Sequence, residues 1–169
     1  MRLYILRHGV AADPDPAGLG SDAERELTPD GRRKTRRAVR GLARVAPRID
    51  HVLTSPLRRA VQTAELAAQA FGVPPERVRR SGTLEPGAKF ADLFRELADY
   101  PPDSAVLLVG HEPHLSGLTS FLLTGDADSV DVCMKKCTVA ALDTGSMPPT
   151  QPASLRFLLQ PRQLRELGR

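Results

Sequence analysis

Short, nearly unbroken apolar runs alternate along this chain with longer stretches in which apolar residues return every third or fourth position. The first run, Leu3 to Leu6, has the length and composition of a buried strand rather than a helix. Residues 11–27, "AADPDPAGLGSDAEREL", carry Asp, Pro and Gly at the density of a loop. Thr28 then supplies an N-cap hydroxyl and Pro29 suits a first helical position, so a helix is expected to about Ala46, where Pro47 stops it. "HVLTS", residues 51–55, reads as a strand. Ser55 and Pro56 repeat the cap-then-proline signal ahead of a helix whose apolar face is Leu57, Val61, Ala64, Ala68 and Phe71. A short strand around Val78, a loop carrying Glu85 and a helix from Phe90 to Tyr100 with Leu93, Phe94 and Leu97 inward follow. "SAVLLVGHEPH" is a second strongly apolar strand, and Pro113 to Leu123 a further helix. "TVAAL" and "LRFLL" read as neighbouring strands across a Pro/Ser/Thr loop, with a short helix after Pro161.

This alternation predicts an α/β fold: a three-layer sandwich with a mainly parallel central sheet, helices on both faces and one antiparallel strand at the edge. Residues 1–169 are expected to form a single domain. Hydrophobic residues make up 41% of the chain and charged residues 26%, as in ordinary globular proteins. The opening apolar run is broken by Arg7 before it reaches the length of a secretory signal, and no stretch approaches a membrane span. The expectation is a cytoplasmic protein without a membrane partner.

Net charge is +4 and the isoelectric point about 9.5. Much of the excess lies in "GRRKTRRAVRGLAR", residues 31–44, where Val39, Leu42, Ala43 and then Ala46 fall at helical spacing and leave the arginines to solvated faces. Only 4% of residues are aromatic, too few for base stacking. No nucleic-acid partner is expected; an acidic protein or a phosphorylated substrate suits the charge equally well. Cys133 and Cys137 have no further ligands nearby for zinc, and no metal or other cofactor is expected.

Two strands end alike. "LYILRHG" and "VLLVGHE" are apolar runs that stop at a histidine beside a glycine. Ligands of open α/β sheets bind outside the carboxyl ends of the strands, which brings His8 and His111 to that edge. Arg7 and His8 can meet one ligand only if the chain leaves extended geometry after them, and Gly9 permits this. In "TSPLRRAVQTAEL" Arg58 falls in the first turn of a helix, where the N-terminus already attracts anions and a guanidinium fork fits phosphate oxygens; Arg59 reads as a solvent-facing neighbour. His51 lies at the wrong end of its strand and His114 lacks co-ligands, so neither receives a role.

"LRHG", "LTPDGRRKT", "SPLRRAVQTAE" and "LLVGHEPHLS", in this order and spacing, resemble the histidine phosphatase superfamily, the phosphoglycerate mutase-like phosphatases. The short chain, "LTPDGR", the Lys135–Lys136 pair and the closing "LLQPRQL" resemble its small SixA-type phosphohistidine phosphatases. The resemblance implies that His8 is the nucleophile, that Arg7 and Arg58 bind the phosphoryl group, that His111 completes the pocket, and that Glu85 is the nearest candidate for a proton donor. It implies hydrolysis of a phosphoryl group without a metal, most directly from phosphohistidine on a protein such as a histidine phosphotransfer domain, through a phosphohistidine on His8. A small phosphorylated metabolite as substrate, and a non-catalytic phosphate- or phosphoprotein-binding module, are the alternatives.

Overall fold

A computed structural model describes residues 1–14 and 20–169. Strand β1 (Arg2–Arg7) is followed by α1 (Pro29–Val45), β2 (His51–Thr54), α2 (Arg58–Phe71), β3 (Val78–Arg80), α3 (Phe90–Ala98), β4 (Ala105–Gly110), α4 (His114–Thr124), β5 (Val139–Asp143), β6 (Ser154–Leu159) and α5 (Pro161–Leu167). The six strands form one sheet in the order β3-β2-β4-β1-β5-β6. β5 is antiparallel to both β1 and β6, so it alone runs against the other five and lies one place in from the edge. "VAAL" and "LRFLL" pair as neighbours, as their patterning predicts. Of the loop expected over 11–27, residues 15–19 lie outside the described residues. Its flanks are pinched together by a bridge between Ala11 and Leu27, and a single 3-10 turn spans Asp22–Glu24.

Local chemistry explains the helix ends. The Thr28 hydroxyl accepts from Gly31 N–H at 2.9 Å and Pro29 occupies the first turn, satisfying a donor that has no partner within the helix. α2 departs from expectation. It starts at Arg58 with Leu57 at the capping position and no side-chain cap, so Ser55 is free for another role.

Alternate residues of each central strand enter opposite layers. Tyr4 and Leu6 of β1 with Leu107 and Val109 of β4 pack under α1, α2 and α5. Leu3, Ile5, Val106 and Leu108 pack under α3 and α4. Both faces are therefore covered, as the unbroken apolar runs require. No helix among the described residues is long and apolar enough to cross a membrane.

For the chemistry, register matters most. β1 and β4 run parallel with Arg7 opposite Gly110, so His8 and His111, each one residue further on, leave the sheet side by side. β2 lies against the other side of β4 with Thr54 opposite Val109, which brings Ser55 and the start of α2 to the same edge.

Candidate active site

His8 N–H donates to Gly110 O at 3.1 Å, Arg7 N–H to Thr138 O at 3.1 Å, and Cys137 N–H reaches the carbonyls of Arg7 and His8 at 3.0 and 3.3 Å. These bonds hold the Arg7–His8 peptide rigidly between β4 and the turn before β5. Gly9 is needed for close approach rather than for an unusual backbone angle: a Cβ there would lie 2.1 Å from Thr35 Oγ1. Its N–H donates to Thr63 Oγ1 on α2 at 3.1 Å.

The His8 ring is buried and its Nδ1–H donates to the Gly9 carbonyl at 2.7 Å. A carbonyl oxygen can only accept, so this bond assigns the proton to Nδ1 and leaves a lone pair on Nε2. The His111 ring faces it, with centroids 5.0 Å apart. His111 Nε2 lies 2.8 Å from Ser55 Oγ, whose oxygen already accepts from Leu57 N–H at 3.3 Å. We assign the Ser55 hydroxyl proton to His111 Nε2, which places the remaining ring proton on Nδ1.

The structure reverses the sequence reading of the two arginines. Arg58 points to solvent, its side chain 49% exposed and paired with Glu26 at 3.0 Å. Arg59 is the buried one, with a side chain 6% exposed; its charge, with that of Arg7, bears on both His8 and His111. Successive helical residues are turned by about 100°, so one position in the phase of α2 decides which guanidinium faces the strand ends. A signal for this was present: Arg59, Gln62 and Thr63 are polar at helical spacing, and all three are buried. The Thr63 hydroxyl donates to Arg59 O at 2.8 Å, and Gln62 Oε1 accepts from Leu27 N–H at 2.7 Å.

Arg7 Nη1 donates to Met134 O at 2.7 Å. Arg7 Nε, Arg59 Nε and His111 Nδ1 are buried without a partner among the described residues. Unpaired buried polar atoms are rare in folded proteins, and with the His111 tautomer assigned above all three are N–H donors, the type of partner an anion requires. Glu85 lies in the segment between β3 and α3. It follows Leu84, which packs over the end of β4 with its carbonyl 3.2 Å from where a Gly110 Cβ would sit, and it is half-buried. Among the described residues its carboxylate has no hydrogen-bond or ion-pair partner. His51 packs edge-on against Tyr100, and His114 against Phe90.

Burial lowers the pKa of His8 to about 3, with the charges of His111, Arg59 and Arg7 adding to the effect and the Gly9 bond opposing it. Burial likewise lowers His111 to about 4, with Arg59 adding and Asp22 opposing. Both rings are neutral at pH 7. An unfolded chain protonates its histidines near pH 6.5, whereas the folded chain resists until about pH 3–4. The unfolded state therefore binds more protons in this window, and stability falls as the pH drops from 6.5 through 4. The expected slope is roughly 1.4 kcal/mol per pH unit for each such histidine, and denaturant titrations between pH 7 and 4 should show it. His8→Asn should flatten it by one histidine's share; an unchanged slope would contradict the assignment. Asp22 and Asp143, whose hydrogen bonds from Arg25 and Arg2 hold their carboxyls below the usual carboxylate range, act only under this window.

The profile of the histidine phosphatase superfamily (branch 1) matches residues 3–80, and an uncharacterized protein of Picosynechococcus sp. (strain PCC 7002) is 34% identical over 147 residues, 86% of this chain and 87% of that one. The chain belongs to the histidine phosphatase superfamily. Among solved structures, the protein histidine phosphatase SixA complexed with tungstate superposes with a TM-score of 0.82 at 23% identity, covering 97% of this chain and 99% of SixA. A provisionally assigned phosphohistidine phosphatase SixA from Nakamurella multipartitia gives 0.76 at 28% identity, over 95% of each chain. A mycobacterial glucosyl-3-phosphoglycerate phosphatase gives 0.69 at 20% identity, over 92% of this chain and 96% of its own. Membership in this superfamily supports phosphatase activity for the chain.

Proposed function

We propose that the chain hydrolyses phosphohistidine on a protein, through a covalent phosphohistidine on its own His8. The observation that carries the reading is the state of the His8 ring: Nδ1–H is engaged by Gly9 O, so Nε2 holds its lone pair among Arg7, Arg59 and His111. Attack by Nε2 on phosphorus breaks the bond to the substrate nitrogen, which leaves with the bonding pair and takes a proton from solvent. Water then attacks the phosphoryl group on His8 and releases a proton; the P–Nε2 bond breaks, its electrons return to the ring, and orthophosphate departs. Arg7 and Arg59 balance the charge on the oxygens, Arg59 taking the role the resemblance implied for Arg58, while His111 Nδ1–H donates to a third position.

Two features support a protein-borne substrate. No inserted domain interrupts β1 to α1 or β3 to α3 among the described residues, which leaves room for a phosphorylated side chain presented on a partner. An imidazole also departs from phosphorus more readily than an alkoxide, so strong acid assistance is not required. Glu85 is on this reading the proton source for alkoxide leaving groups only. The glucosyl-3-phosphoglycerate phosphatase among the neighbours motivates a second reading, hydrolysis of small phosphomonoesters by the same steps.

One experiment separates them: hydrolysis of a phosphohistidine-bearing protein against a panel of phosphomonoesters, for the parent and for Glu85→Gln. The phosphoprotein should have the higher kcat/KM. Glu85→Gln should change that rate by less than about threefold while lowering monoester hydrolysis by about tenfold or more, toward the range of general-acid effects. A parent preference for monoesters would establish the second reading, and equal losses on both substrates would remove Glu85 as the leaving-group acid.

A further inference from the structure

We propose that Asp22 is a positioning residue for Arg59, fixing the guanidinium in the orientation that turns its unpaired N–H groups toward the phosphoryl group. The inference rests on reading the His8 cluster as a phosphoryl site. Arg59 Nη1 donates to the Asp22 main-chain oxygen at 2.7 Å and Nη2 to Asp22 Oδ2 at 2.9 Å. A single residue thus grips both terminal nitrogens of a planar group, and rotation of the guanidinium would break both bonds at once. Nε keeps no partner among the described residues.

Asp22 is itself anchored. Its Oδ1 accepts from Arg25 Nε at 2.8 Å, Arg25 Nη1 continues to Ala12 O at 2.7 Å, and the Ala11–Leu27 bridge closes the segment. On the other side, Thr63 ties the Arg59 carbonyl to the N–H of Gly9. Arg59 is therefore held between the 3-10 turn and the loop that carries His8. One carboxylate shared by two guanidiniums leaves a net positive charge for the incoming phosphoryl dianion. The field of Asp22 also opposes the lowering of the His111 pKa. The Asp22 side chain is 59% exposed, so its ion pairs contribute little to stability, and its removal should act on turnover more than on folding.

Steady-state kinetics of Asp22→Ala, with thermal melting as the control for folding, tests the role. The expected result is a kcat about tenfold lower or more, with KM and the inhibition constant of orthophosphate within about threefold of the parent. Asp22→Asn, which keeps an oxygen for Arg59, should recover most of the loss, and if the alanine variant melts early Asp22→Ser, too short to reach Nη2, carries the test with the same expected fall in kcat. In an Arg59→Lys background, Asp22→Ala should lower kcat by less than about twofold further. A kcat for Asp22→Ala within about twofold of the parent would overturn the proposal, as would a loss undiminished in the Arg59→Lys background. His8→Ala, assayed alongside, distinguishes the two failures. Turnover that survives without His8 defeats the phosphoryl-site reading itself; turnover that needs His8 but ignores Asp22 defeats only the positioning role.

Discussion

Replacing His8 with alanine should lower hydrolysis by about ten-thousandfold or more while leaving orthophosphate bound within about tenfold of the parent affinity. The two effects separate because different atoms carry them. Only His8 Nε2 offers a lone pair to phosphorus within the cluster, since His111 Nε2 is taken by Ser55 and a guanidinium has no lone pair free to attack. Loss of a nucleophile typically removes most of the enzymatic acceleration. On the proposed reading the anion is held instead by Arg7, Arg59 and His111 Nδ1–H, all of which remain. Rapid quenching of the parent with labelled phosphoprotein should trap an acid-labile, base-stable label on His8. Full turnover by His8→Ala, or label elsewhere, would refute the nucleophile assignment; complete loss of orthophosphate binding would show that His8 is instead part of the anion-binding framework.

The second large effect distinguishes two adjacent arginines. Arg59→Ala should lower kcat by about a hundredfold to a thousandfold, the range seen when one preorganised donor to a developing charge is removed. Arg58→Ala should stay within about twofold. Arg59 is desolvated and its charge bears on both imidazoles. Arg58 is half in water beside Glu26, in a surface pair that solvent screens. Parallel kinetics of the two variants decides the matter, and the opposite ranking would mean that α2 presents its other face to substrate.

These predictions differ in how far they could be reached without coordinates. Thr28 and Pro29 start α1, and Pro47 lies just past its end, as local rules require. The apolar runs of β1 and β4 end where the pattern places them, because a strand buried on both faces tolerates no polar interruption. The likeness of the two strand ends also led directly to His8 and His111. The first turn of α2 was harder. Ser55 and Pro56 look like a cap, yet the helix begins at Arg58 and the Ser55 hydroxyl serves His111 and Leu57 instead. A cap motif reports a local preference, and here the Ser55 hydroxyl is engaged by His111 just past the end of β4.

What the sequence determined by itself was the alternation of buried strands and amphipathic helices, and with it the edge at which two histidines and an R-H-G arginine emerge. Run length, periodicity and proline position are local properties, legible residue by residue. Only the tertiary structure decided that β4 inserts beside β1 with Arg7 opposite Gly110, that Arg59 rather than Arg58 faces the imidazoles, and that Asp22 holds it there. Sheet register and helix phase depend on packing between segments far apart in the chain, and a rotation of one helical residue is enough to exchange a surface cation for a buried one whose charge bears on both imidazoles.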